Sequence, residues 1–147
     1  MKSEPSEVSV DDLAKRPKKT VPWFGVRNYQ ARNYMMNDMA VGDGVLFYHS
    51  SCDEPGIAGI AEVASGAYPD ATQFEAGGKY FDQKASPDKP RWFNVDVRLV
   101  RRIRLVPLSE LRERPELAGL RILQRGNRLS ITPVTPAEWK FVCSRLR

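Results

Sequence analysis

The chain is poor in the side chains that build metal sites and catalytic nucleophiles. It has one histidine, His49, and two cysteines, Cys52 and Cys143. Two cysteines make no disulfide framework, and one His beside one Cys falls short of the several ligands at fixed spacing that a zinc site needs. No metal or other cofactor is therefore expected. No apolar run approaches the ~20 residues of a membrane helix, and the first residues lack the apolar core of a signal peptide. A cytoplasmic protein with reduced thiols and no membrane attachment is expected. A phosphate-binding glycine loop is also missing: Gly42-Asp43-Gly44 lacks the further glycine and the helix signal of a dinucleotide fingerprint. The 11 prolines and 10 glycines are scattered, so no linker or low-complexity tract divides the 147 residues. One domain over 1–147, acting as a monomer, is the simplest organisation.

What is present is positive charge. Lys and Arg number 23 against 18 Asp and Glu, a net charge of +5. Such a balance favours polyanions, nucleic acid first among them. Paired carboxylates such as Asp11-Asp12 and Asp53-Glu54 fall in a helix start and a turn, where solvated charge explains them. A Cys–His nucleophile pair would need an orienting third group, and none is evident.

The chain is organised around Trp23–Met39. Asn28 is a good N-cap, and Ala31, Tyr34, Met35 and Met39 recur at spacings of three and four, the apolar face of a helix. The loop entering that helix brings together an aromatic (Trp23), a permissive glycine (Gly25), a guanidinium (Arg27) and an amide (Asn28), a set that suits an aromatic ligand bearing an anion.

Elsewhere, Ser9 caps a short helix ended by Pro17. Val45–Ser50 and Ile57–Val63 read as strands, with Gly59 marking a bulge or close contact. Tyr68 to Pro90 is a long polar loop. Alternating residues from Trp92 to Val100 give the clearest strand. Ser109 is a candidate cap for a helix through Arg114, and Leu129–Val134 a last strand. Thr135-Pro136 with Glu138 opens a closing helix through a capping box. Its inner stripe is Trp139, Val142, Cys143 and Leu146, and burial of Trp139 would make its truncation cost about 3–5 kcal/mol.

Seven blocks in order resemble one family: Lys2-Ser3-Glu4-Pro5; Trp23-x-Gly25-Val26-Arg27-Asn28-Tyr29-Gln30-Ala31-Arg32-Asn33; Phe47-Tyr48-His49-Ser50; Gly56-Ile57-x-Gly59; Tyr68-Pro69-Asp70; Pro90-x-Trp92; and Arg128-Leu129-Ser130. On these the chain is identified as a member of the EVE domain family. The resemblance implies an α+β, PUA-like fold: a small, curved, mainly antiparallel β-barrel flanked by short helices. It also implies a non-catalytic binding module for a modified base, cytosine in DNA for EVE domains, with RNA the target of the related PUA and YTH domains. On the matched positions, the base pocket would comprise Ser3, Trp23, Gly25, Val26, Asn28, Tyr48, His49, Ser50, Trp92 and Ser130. Lys2, Arg27, Arg32, Arg125 and Arg128 would hold the nucleic-acid backbone, each arginine adding roughly one unit to the salt slope of binding. The rival expectation is an enzyme acting on a nucleotide or small amide through His49 with Cys52 or Tyr48. Family members have an aromatic-apolar strand before Lys-Ser-Glu-Pro. Only Met1 precedes it here, so the first strand is expected to be short, or its beginning absent from this sequence.

Overall fold

The computed structural model describes residues 1–146. In chain order the elements are β1 (Lys2–Ser3), α1 (Val10–Lys15), β2 (Thr20–Pro22), α2 (Tyr29–Asn33), β3 (Gly44–His49), β4 (Gly56–Val63), β5 (Tyr68–Pro69), β6 (Phe93–Asn94), β7 (Asp96–Pro107), α3 (Leu108–Arg112) and α4 (Pro136–Phe141). Both α2 and α4 continue into a wider π-helical turn, at Tyr34–Asp38 and Val142–Leu146.

Five strands form one sheet in the order β1-β3-β4-β7-β2, strongly curled into a half-barrel. All pairings are antiparallel except that of β1 with β3. The register slips once between β3 and β4 and twice between β4 and β7, and each extra residue adds local twist. Gly59 sits at one of these slips; a Cβ there would lie 3.0 Å from Val10 and 3.2 Å from Leu99. The glycine therefore lets α1 pack close against the sheet.

Two apolar clusters lie on the opposite faces of the sheet. Phe47, Val45, Val97 and Leu99 join Leu13, Trp23, Ala31 and Met35 on one side. Leu46, Tyr48, Ile57 and Val106 join Leu111, Leu117 and Val142 on the other. Both sides of β3 are thus covered, as its unbroken apolar run predicts. Ala31 and Met35 are buried and Tyr34 and Met39 half-buried, so the apolar face read from Trp23–Met39 is the one that packs.

Three expectations need correction. Leu129–Val134 forms no strand and makes no ladder: it offers the Ser130 carbonyl to the Lys2 N–H, 2.8 Å, and Pro133 has no N–H to donate. Ser109 is not a cap; α3 begins at Leu108 behind Pro107, with no side-chain cap, and the Leu108 N–H is bound by the Pro55 carbonyl. The third concerns Trp139, which is half-buried rather than fully buried. Its ring covers Gly44, where a Cβ would come within 2.4 Å of it. The same ring borders a cavity of about 510 Å³ shared with β3 and the 131–134 segment. Neighbours beside a cavity can relax, so Trp139→Ala is expected to cost about 1.5–3 kcal/mol by denaturant unfolding, below the range for a fully buried tryptophan. A loss under about 0.5 kcal/mol would mean that the ring contributes only surface cover.

Candidate nucleic-acid interface

The parallel strand β1, the loop Trp23–Arg27 and the 128–130 segment meet around a cavity of about 340 Å³. That is at the small end of ligand pockets. β1 is placed there by its ladder, with Lys2 opposite Tyr48 and Ser3 opposite His49. The Ser130 carbonyl ties the 128–130 segment to Lys2. The Trp23 N–H is fixed by the Val95 carbonyl at 2.8 Å.

The structure brings nine of the fifteen sequence-predicted residues to this cavity: Lys2, Ser3, Trp23, Gly25, Val26, Arg27, Ser50, Arg128 and Ser130. Trp23 is only 7% exposed and meets Phe47 edge-on at 5.6 Å, so it belongs to the core and shows the cavity a small part of itself. Gly25 adopts φ +83°, which a side chain rarely tolerates. Its open side is already taken: an added Cβ would lie 2.7 Å from the Tyr80 ring. The close approach that Gly25 permits is therefore to this chain's own tyrosine. Ser51, also on the cavity, holds φ +53°, a strained setting for a residue with a side chain.

Six predicted residues lie elsewhere. Asn28 accepts the Ala31 N–H at 3.0 Å and is used as the cap of α2. Tyr48 faces the second cluster, because alternation along β3 turns it away from Phe47 and His49. His49 accepts the Val10 N–H on Nε2 at 3.0 Å and packs edge-on to Phe47, 5.7 Å away. Burial lowers its pKa below the usual histidine value, outweighing the nearby Asp11, so the ring is neutral and its acceptor nitrogen is occupied. Trp92 stacks on Tyr29 at 4.9 Å and donates Nε1–H to Asp82 at 2.8 Å. Arg32 bonds Asn33 and the Arg91 carbonyl, and Arg125 is exposed in its turn.

Arg27 reaches the cavity but not as a free cation. Its Nε–H donates to the Tyr80 carbonyl (3.1 Å). Nη1 donates to the Val26 carbonyl (2.8 Å) and to Asp70 (3.1 Å), and Nη2 to Thr72 (3.1 Å) and the Tyr80 carbonyl (2.8 Å). All five guanidinium donors are spent within the chain. Asp70, 1% exposed, also accepts the Gly25 N–H and both the N–H and hydroxyl of Thr72. Burial pushes its carboxyl up, but the bonds from Thr72, Gly25 and Arg27 together outweigh this and leave it below the usual carboxylate range. Arg27 and Asp70 thus bolt the Tyr68–Pro90 loop to the Gly25 turn.

That loop supplies the residues that sequence reading missed. It is ordered by Gln73, fully buried, whose amide donates to the Asp70 and Trp92 carbonyls and accepts the N–H groups of Arg91 and Trp92. Tyr80, on the cavity wall, donates its hydroxyl to Glu7 at 2.7 Å and closes one side of the mouth. Glu7 is held below the usual carboxylate range by that bond foremost, with Lys79 adding to it against the opposing effect of burial. A Gly-Gly-Lys-Tyr-Phe run in a long loop was the only available signal, and it does not say which aromatic turns inward.

Against these engaged groups stand the free ones. Among the described residues, the Lys2 ammonium and the Arg128 guanidinium line the cavity with no hydrogen bond or ion pair. Burial lowers the Lys2 pKa from the usual lysine value. The Ser50 and Ser130 hydroxyls are likewise uncommitted, while the Ser3 hydroxyl donates to the Val8 carbonyl at 2.6 Å and keeps its acceptor side. The cavity therefore offers cations, hydroxyls and an aromatic wall. No group of three His, Cys, Asp or Glu side chains fit for a metal occurs among the described residues, and no helix among them is long and apolar enough to cross a membrane.

Known proteins of the same build can be compared with this geometry. Human thymocyte nuclear protein 1 is 42% identical over 98% of this chain and 71% of its own length. A Pseudomonas putida crystal structure is 46% identical with a TM-score of 0.91, covering 97% of this chain and 95% of that one. The human THYN1 protein in complex with 5-methylcytosine-containing DNA is 42% identical with a TM-score of 0.89, covering 98% and 94%. The EVE domain family profile matches residues 1–145, and with relatives this similar over nearly its whole length the chain belongs to the EVE domain family.

Proposed function

We propose that this protein is a non-catalytic reader of a modified base in nucleic acid, 5-methylcytosine in DNA being the leading target. The observation that carries the reading is the relative of the same fold bound to 5-methylcytosine-containing DNA, taken with a base-sized cavity here that holds free cations and hydroxyls. The base enters the cavity bounded by the Trp23–Val26 loop, β1 and the 128–130 segment, with Tyr80 at its edge. Ser130 and Ser50 present hydroxyls to its polar edge. Lys2 and Arg128 take the phosphates, which position the strand without reading its sequence. The bond from the Val10 N–H to His49 Nε2 supports the non-catalytic reading, since a general base needs a free acceptor lone pair.

The test is a titration of single-stranded oligonucleotides carrying 5-methylcytosine or cytosine across a range of salt. Binding is expected to prefer the methylated strand and to weaken steeply with salt. Lys2→Gln and Arg128→Gln should each flatten the slope by roughly one unit, whereas Arg125→Gln, outside the cavity, should change it less. Binding that ignores both salt and methylation would overturn the reading.

A further inference from the structure

A second aromatic group stands apart from the cavity. Tyr29, at the start of α2, is 47% exposed, which is high for a tyrosine that is also stacked. One face lies on Trp92, centroids 4.9 Å apart and planes within 22°. Two guanidinium groups flank the stack. That of Arg32 is 4.6 Å from the Tyr29 centroid and 5.9 Å from that of Trp92; that of Arg91 is 5.8 Å and 6.0 Å. Each is within cation–π reach of both rings, Arg91 also donates to the Tyr29 hydroxyl, and nearly half of Tyr29 stays exposed. Trp92 is itself held by Asp82 and by the backbone bonds to Gln73, so Tyr29 rests on a rigid base.

The charges differ in their commitments. Arg91 shares Asp82. Arg32 forms no ion pair among the described residues, and two of its five donors are unspent. The platform is also close to the cavity, because the Arg27 guanidinium lies 5.5 Å from the Tyr80 ring on the cavity wall and 5.4 Å from the Trp92 ring beneath Tyr29. An exposed aromatic on a fixed support, beside a cation with no ion pair, is the construction that takes an unpaired base and its phosphate.

We propose that the outer face of Tyr29 is a second nucleobase site, which stacks the unpaired base next to the one held in the cavity while Arg32 takes the intervening phosphate. This rests on the nucleic-acid reading above. The cavity alone then binds a mononucleotide, and the platform adds affinity only for a longer strand.

The probes are 5-methyl-deoxycytidine monophosphate and a single-stranded DNA of about nine nucleotides with one central 5-methylcytosine, within the usual span of single-strand sites. Tyr29→Ala is expected to weaken the longer probe about five- to a hundredfold and leave the mononucleotide unchanged. Tyr29→Trp should restore the longer probe, and Arg32→Gln should flatten its salt slope by roughly one unit. The inference is overturned if Tyr29→Ala binds the longer probe within about twofold of the parent, a difference too small for a lost stack. It is also overturned if both probes weaken together, which would make Tyr29 a support for the cavity. Failure of the parent to bind either probe would remove the proposed function itself, an outcome distinct from failure of the platform alone.

Discussion

Replacing Arg27 with alanine is expected to lower stability by about 3 kcal/mol and to loosen the cavity, without changing the salt slope of nucleic-acid binding. Breaking a buried ion pair by removing one partner costs about 3–5 kcal/mol, because the other charge stays buried. Asp70 keeps its bonds from Gly25 and Thr72, so the lower end applies. For a chain of this length that is roughly 10 °C in Tm. The loop that carries Tyr80 then loses both bonds to its carbonyl, and affinity for the base should fall with it. A phosphate-holding arginine would behave oppositely: little loss of stability and a slope flatter by about one unit. Chemical unfolding and a salt titration on the same variant separate the two roles.

The same pair gives a pH signature. The folded Asp70 carboxyl sits below its unfolded value, near 3.9 for a free aspartate. Its contribution is therefore complete above that unfolded value and is lost as pH falls through the folded one. Arg27→Ala removes one of the causes of the depression, so the stability gap between parent and variant should be widest above about pH 5 and narrow as the pH falls below the aspartate range. A gap that stays constant down to pH 2 would mean that the guanidinium stabilises through packing rather than charge.

The fold was largely legible because its signals are local. The caps at Ser9 and Asn28, the box at Thr135 and the apolar spacing of Ala31 and Met35 each fix an element within one turn of the chain, and each forms as written. The alternation read as one strand from Trp92 to Val100 is split at Val95: Val97 and Leu99 lie in the long β7, while Phe93–Asn94 forms β6 and pairs with β5 in a separate two-stranded sheet. Leu129–Val134 misleads because strand propensity says nothing about whether a partner edge is available. The site was legible only in part, and the missing part is long-range. Motif position brings Lys2, Trp23, Arg27 and Ser130 to one place, but not which of their donors are already spent. Arg27 looks like a phosphate ligand in the sequence and is a bolt in the fold, because its partners Asp70, Thr72 and Tyr80 lie 43 to 53 residues away. Tyr80, given no role by the sequence, stands where Trp92 was expected by the same logic, since Gln73 and Asp82 turn Trp92 toward Tyr29 while Glu7 draws Tyr80 over Gly25.

Trp23→Ala should be the most damaging single change to the cavity, and the kind of damage distinguishes core from stacking partner. A tryptophan 7% exposed, edge-on to Phe47 and clustered with Val21, Val26 and Val95, leaves a large void when truncated. The expected cost is about 3–5 kcal/mol. Affinity for methylated oligonucleotide should also fall, because the Trp23–Val26 loop forms one wall, but it should fall in proportion to the unfolded fraction and recover partly on cooling toward maximum stability. Tyr80→Ala makes the contrast. Its ring is half-exposed, so the stability cost should be smaller, yet it is the aromatic at the mouth and its loss should weaken binding about five- to a hundredfold at every temperature where the fold is intact. His49→Ala, measured beside them, should lower stability through the lost Val10 bond and leave binding of the folded protein close to the parent's. If Trp23→Ala instead keeps parental stability while binding collapses, Trp23 is the stacking surface and the Tyr80 assignment is wrong. If His49→Ala abolishes formation of a product from any of the probe nucleotides, the protein is an enzyme and the reader proposal falls.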